Sequence, residues 1–133
     1  MPEAPIKQVA AGIAIVSGMV LVTRRAHGQN LAGLWEFPGG KLEAGETPQT
    51  CIVRELHEEL GVGTTAGEVL VEAIHRYPGG AINLIAVQVV LDHHDLQLSV
   101  HDAYAWVAPR ELLTIGLAPA DVPIAEEIIR RHG

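Results

Sequence analysis

The apolar residues of this chain recur with two different periods, and the places where the period changes predict its elements. The runs "VAAGIAIV" (9–16) and "MVLVTRR" (19–25) have strand length and flank Ser17-Gly18, which predicts a β-hairpin with a short turn. Residues 26–46 sustain no period and are rich in glycine, so a long loop is expected there. Beyond it the spacing becomes helical. Ile52, Leu56 and Leu60 form one stripe, Thr47 is placed to cap the N-terminus, Pro48 suits the first helical position, and Gly61 suits the left-handed residue that ends a helix. "AGEVLVEAIHRY" (66–77) and "AINLIAVQVVLD" (81–92) flank Pro78-Gly79-Gly80 as a second hairpin. "AYAWVAP" (103–109) reads as a short strand, with a helical turn from Pro109 through Leu113. Val122, Ile124, Ala125, Ile128 and Ile129 recur at near-helical spacing, so the tail is expected to be an amphipathic helix. The irregular alternation of strands and helices favours a mixed sheet with helices packed on it over a regular parallel one.

Composition adds limits. With 133 residues, 48% of them apolar, one domain spanning 1–133 is expected. No run reaches the roughly 18 apolar residues that span a bilayer, and no leader pattern is recognised, so the expected location is cytoplasmic and away from membranes. The lone Cys51 has no internal disulfide partner and reads as a small buried hydrophobe. A formal net charge of −7 argues against gripping a long nucleic-acid backbone. It is compatible with a small phosphorylated ligand held through a cation.

The predicted helix poses a problem, because Glu55, Glu58 and Glu59 crowd one face beside its apolar stripe. Carboxylates four residues apart on a helix repel by a few tenths of a kcal/mol. Only Arg54 and His57 lie near enough in sequence to compensate. An acidic helix face is most often simply solvated. Here the loop that feeds the helix carries Gly39, Gly40 and Gly45, which permit tight backbone paths and leave carbonyls free as oxygen ligands. Hard oxygen donors of this kind suit Mg²⁺ or Mn²⁺ rather than zinc.

From Gly40, five residues lead to Glu46, seven more to Arg54-Glu55-Leu56, and Glu58-Glu59-Leu60-Gly61-Val62 closes the pattern. This stretch resembles the complete Nudix box. The segments "TRRA", "GLWEFPGGK" and "LAPADVPIAE" extend the resemblance to MutT-type nucleoside triphosphate pyrophosphohydrolases, including the 8-oxo-dGTP and CTP branches. The resemblance implies an α/β/α Nudix sandwich with a mixed sheet, and hydrolysis of nucleoside triphosphates to monophosphate and pyrophosphate. It further implies that Glu55, Glu58, Glu59 and the Gly39 carbonyl ligate Mg²⁺, with Mn²⁺ as a substitute. Glu46 and Arg54 would hold the site together, Arg54 by orienting a carboxylate, while Glu43 reads as a solvated loop residue.

In the same resemblance Arg25 and Lys41 match positions near substrate, and Phe37 with the inward residues of 9–16 would wall the base pocket. Arg25 is equally readable as solvated. Asp121 stands where the 8-oxo-dGTP branch has Asn, and a carboxylate there suits an exocyclic amino group such as cytosine N4. It is also readable as the N-cap of the last helix. A further carboxylate expected before the last strand is represented by Asp102 or His101 in "SVHDAYAW", and the general base stays unassigned. His57 and the pair His93-His94 read as surface residues, and Trp35 and Trp106 as core or stacking residues. Besides an enzyme, monomeric or homodimeric, two other readings stay open: a non-catalytic nucleotide sensor, and a hydrolase of another nucleoside diphosphate derivative. Only the triphosphate reading uses the complete carboxylate set without an added recognition surface.

Overall fold

The computed structural model describes residues 5–133. Eight strands and two α-helices follow the order β1 (Ile6–Ile13), β2 (Ile15–Val16), β3 (Met19–Arg25), β4 (Trp35–Glu36), β5 (Gly39–Lys41), α1 (Pro48–Leu60), β6 (Thr64–Tyr77), β7 (Gly80–Leu91), β8 (His101–Val107) and α2 (Val122–His132). Two short 3-10 turns, Pro109–Thr114 and Pro119–Asp121, lie between β8 and α2. One sheet is mixed, with order β5-β1-β7-β6 and a parallel β1–β7 pair. In the other, β3 pairs antiparallel with β2, β4 and β8.

The first predicted hairpin therefore needs correction. Its first run divides at Ala14, so that only Ile15–Val16 turn back on β3, while β1 enters the other sheet beside β7. The cause is two-sided burial. Ala10 and Ala14 join the apolar cluster under α1, whereas Ala11 and Ile13 join the cluster under α2. A strand buried on both faces shows a continuous apolar run, and that run does not reveal which strand it pairs with. The long loop is also only partly a loop, because it contains β4 and β5, too short and too glycine-rich to show a period.

Helix α1 forms as its sequence demands. Thr47 Oγ1 accepts from the Thr50 N–H at 3.1 Å, and the Thr47 N–H donates to Thr50 Oγ1 at 2.9 Å. This reciprocal cap uses a threonine where a glutamate is usual. Pro48 begins the helix, and Gly61 ends it at φ 63°, with its N–H donating to the His57 carbonyl. Cys51, Ile52, Leu56 and Leu60 are fully buried against the mixed sheet. A side chain at Gly12 of β1 would stand 3.2 Å from Leu56, so the absence of one lets the helix settle. On the other face of the sheet, α2 buries Ile124, Ala125 and Ile128. At the sheet's edge, β6 is irregular between Ala66 and Val71, where Gln49 Nε2 of α1 donates to the Gly67 carbonyl and Arg131 Nη2 of α2 to the Leu70 carbonyl.

Because the Thr47 cap holds the first turn of the helix that bears the carboxylates, Thr47→Ala is expected to cost about 1 kcal/mol of stability. Thermal or urea melts check it. An unchanged midpoint would mean that packing alone fixes the helix start.

Candidate active site

Strand β5, the loop after it and α1 bring the acidic residues together. Arg54 sits in their midst. Its Nε and Nη2 donate to the two oxygens of Glu46 at 2.8 and 2.9 Å, its Nη1 reaches Glu55 at 2.9 Å and Glu58 at 3.4 Å, and Nη2 also donates to the Lys41 carbonyl at 3.1 Å. The hydrogen bonds from Arg54 hold the Glu46 carboxyl down at about 2, and those carboxylates raise the Arg54 pKa in turn. Glu43 stays exposed, 3.6 Å from Arg54.

Glu55 and Glu59 point inward beneath β5, whereas the side chain of Glu58 is 57% exposed. Glu59 accepts from the Gly39 N–H at 3.2 Å. Burial, then the charges of Glu55 and Glu36, push the Glu59 carboxyl up to about 8. Arg54 offsets its other neighbours but not this one. An oxygen-rich pocket with uncompensated negative charge fits a hard divalent cation. Gly40 fits it too, since a Cβ there would lie 2.4 Å from the Glu55 carboxyl carbon and displace it. Among the described residues no three acidic, histidine or cysteine side chains form a closed metal cage. The donors form an open arc around Arg54.

Beside this arc lies a cleft of about 560 Å³, bordered by Gly39, Gly40 and Lys41 at the acidic end and by Arg25, Glu36, Phe37 and Asp121 further in. Val9 and Leu84 of the mixed sheet supply apolar wall. Phe37, Lys41 and Asp121 thus share one cavity, as does Arg25. Arg25 is less available than its sequence position suggests, because its Nε donates to the Asn30 carbonyl at 2.6 Å and its Nη1 to Glu36 at 3.1 Å.

Asp121 is buried, and its Oδ1 accepts from the Phe37 N–H at 3.1 Å. Its backbone is already helical and its side chain makes no capping bond, which overturns the N-cap reading. The side chain turns into the cleft because Phe37 offers a donor that a strand end leaves unpaired. Burial pushes the Asp121 carboxyl up to about 7, the Phe37 hydrogen bond opposing the rise.

Asp102 lies on the exposed side of β8, paired with Arg24 at 2.7 Å. The inward neighbour is His101, whose Nε2 stands 2.9 Å from Glu36. A β-bulge between Arg24 and Arg25 shifts the β3–β8 register and puts His101 opposite Arg25. Glu36 and its contact with His101 were absent from the sequence reading. The available signal was a lone carboxylate between Trp35 and Phe37. His57, His93 and His94 are exposed, and Trp35 and Trp106 pack at the margins of the two apolar clusters.

A NUDIX domain model matches residues 6–131. The chain is similar to the CTP pyrophosphohydrolase of Escherichia coli K12, with 41% identity over 119 residues, 90% of this chain and 88% of that protein. It is similar also to the 8-oxo-dGTP diphosphatase of the same organism, 38% identical over 78 residues, 58% of this chain and 60% of that protein. Among solved structures, that of the E. coli ORF135 protein superposes with a TM-score of 0.84 at 38% identity, covering 98% of this chain and 94% of that one.

The two glycines of β5 have separable roles. A Cβ at Gly39 would fall 1.9 Å from the Ala10 carbonyl oxygen, so Gly39→Ala is expected to destabilise the fold by more than about 2 kcal/mol. Gly40→Ala meets only the movable end of Glu55 and should leave the melting temperature within a few degrees while weakening Mn²⁺ binding about tenfold or more. Melts and paramagnetic relaxation distinguish the two; equal effects on both measurements would refute the separation.

Proposed function

Since the chain belongs to the Nudix hydrolase family, we propose that it hydrolyses nucleoside triphosphates to the monophosphate and pyrophosphate, with a preference for bases that carry an exocyclic amino group. The observation that carries this reading is the junction of the Glu55–Glu58–Glu59 arc with a base-sized cleft ending in the buried carboxyl of Asp121. Nucleotide-pool sanitation, and with it DNA repair, is the cellular role that such chemistry would serve.

Nudix hydrolases generally work with a divalent metal, typically Mg²⁺. In this chain Glu55, Glu58, Glu59 and the Gly39 carbonyl would hold it, and Mn²⁺ would substitute. When bound, the cation offsets the charge of the triphosphate and of the departing pyrophosphate. The protein supplies position. Arg54 fixes Glu46 and Glu55, so that the arc does not relax by charge repulsion. Lys41, at the cleft mouth, brings a cation to the phosphate end, and Phe37 gives the base an apolar wall. Asp121, held by the Phe37 N–H, presents its remaining oxygen as an acceptor for an amino group when ionised.

Glu58→Gln removes a ligand charge from an exposed position, so the fold should persist while turnover with Mg²⁺ falls by about a hundredfold or more. Product analysis belongs to the same experiment. Near-normal rates would sink the metal assignment, and release of single phosphates without pyrophosphate would sink the reaction type.

Asp121 should make specificity pH-dependent. Its folded pKa is raised from 3.8 to about 7, so above that pH it is an acceptor that favours CTP-type bases. Below it the neutral acid also donates, and 8-oxo-dGTP, with its O6 acceptor, should gain. Asp121→Asn should remove this pH dependence and move relative kcat/KM toward 8-oxo-dGTP by roughly 1–3 kcal/mol. Stability follows the same linkage. The folded state binds the proton more tightly, so the contribution of Asp121 is full below its unfolded pKa near 3.8 and is lost as pH rises through about 7. The Asn variant should lack that slope. A substrate ratio independent of pH in the parent protein would remove Asp121 from base recognition.

A further inference from the structure

Among the described residues the carboxylates bordering the cleft are Glu36 and Asp121, and the charge of Glu36 contributes to the upward shift of both Glu59 and Asp121. The position of its carboxylate is set from two sides. Arg25 Nη1 reaches its two oxygens at 3.1 and 3.3 Å, and His101 Nε2 stands 2.9 Å from Oε2. The His101 side chain is 1% exposed, and its Nδ1 is buried without a partner. A buried ring nitrogen left unpaired is costly, so the ring is not placed there to satisfy itself. Among the described residues the ring's one polar contact is Glu36. That contact depends on the β-bulge at Arg24/Arg25, since a regular register would change the residue of β8 set opposite Arg25.

The Glu36 carboxylate is held on both oxygens, Oε2 by Arg25 and His101 together and Oε1 by Arg25 alone, so it is fixed in place while Oε1 keeps a lone pair for a further donor. Glu36 thus suits recognition better than water activation. We propose that His101 is a positioning residue for specificity: by donating from Nε2 it turns the Glu36 carboxylate into the cleft as a second acceptor, beside Asp121, for the amino edge of the bound base. Arg25 acts from the other side, joining the same carboxylate to the loop at Asn30. The inference rests on the proposed nucleotide reading but concerns binding, so it is testable without turnover.

The test compares CMP with UMP, which differ in having an amino group or a carbonyl at C4. Calorimetry with each, and steady-state kinetics with CTP and UTP, would be run on the parent protein, His101→Phe and His101→Gln. Phe fills the volume without a donor, whereas Gln restores a donor near the Nε2 position. His101→Phe is expected to weaken CMP binding and raise the KM for CTP about tenfold, to leave UMP and UTP within about twofold, and to leave kcat within about threefold. His101→Gln should recover most of the CMP preference. If the parent protein binds CMP and UMP equally, or if His101→Phe keeps the preference, the proposal is overturned. It is likewise overturned if both variants weaken the two nucleotides alike in step with lost stability. Should the parent protein prefer CMP and lose that preference in His101→Phe, yet hydrolyse no triphosphate, the positioning role stands and the proposed reaction falls. If His101→Phe does not fold, His101→Gln decides: a retained preference supports the donor role, and a lost one with intact folding refutes it.

Discussion

One guanidinium makes the acidic arc possible. Four carboxylates lie within 3.6 Å of Arg54, and it binds both oxygens of Glu46 with the geometry of a fork. A lysine would bring the same charge without two parallel donors, and Glu46 would lose its fixed relation to the helix. Much else depends on this anchor. The loop between β5 and α1 closes because Glu46 is held at one end and the Lys41 carbonyl at the other by the same side chain. The glycines of β5 then let the helix and strand approach until Glu55 and Glu59 touch backbone that has no side chain in the way.

The unequal compensation within the arc is as important as the anchor. Arg54 satisfies Glu46 and Glu55, but Glu59 faces Gly39 and shares its surroundings with Glu55 and Glu36. A solvated acidic face would relax by turning its side chains to water. Here two of the three candidate ligands are turned inward, and that separates this helix from the ordinary surface reading.

The parts of the fold legible in the sequence were those written in local chemistry. Thr47, Pro48 and Gly61 bounded α1 because caps and breakers act on adjacent backbone. The Nudix box carried the arc because its spacing is that of a single helix and the loop before it. What escaped depended on pairing between distant segments. The run 9–16 carries no sign that it divides between two sheets, and β4 and β5 are too short for any period. The role of Asp121 was only half legible: its chemistry was plain, but its donor, the Phe37 N–H, lies 84 residues away in sequence. Glu36 carried no signal of its role, and the choice between Asp102 and His101 turned on a register shift that no residue type announces.

The irregular edge of β6 has a consequence beyond the site. A sheet edge of this length exposes a row of amides and carbonyls that a second chain can extend, and such edges seed intermolecular β-structure. Here the strand departs from regular pairing at Ala66–Val71, and the Gly67 and Leu70 carbonyls are engaged by side chains from helices on opposite faces of the sheet. Gln49 and Arg131 thereby occupy acceptors along this border that an incoming strand would otherwise pair with, so the helices that pack the sheet also blunt its open edge.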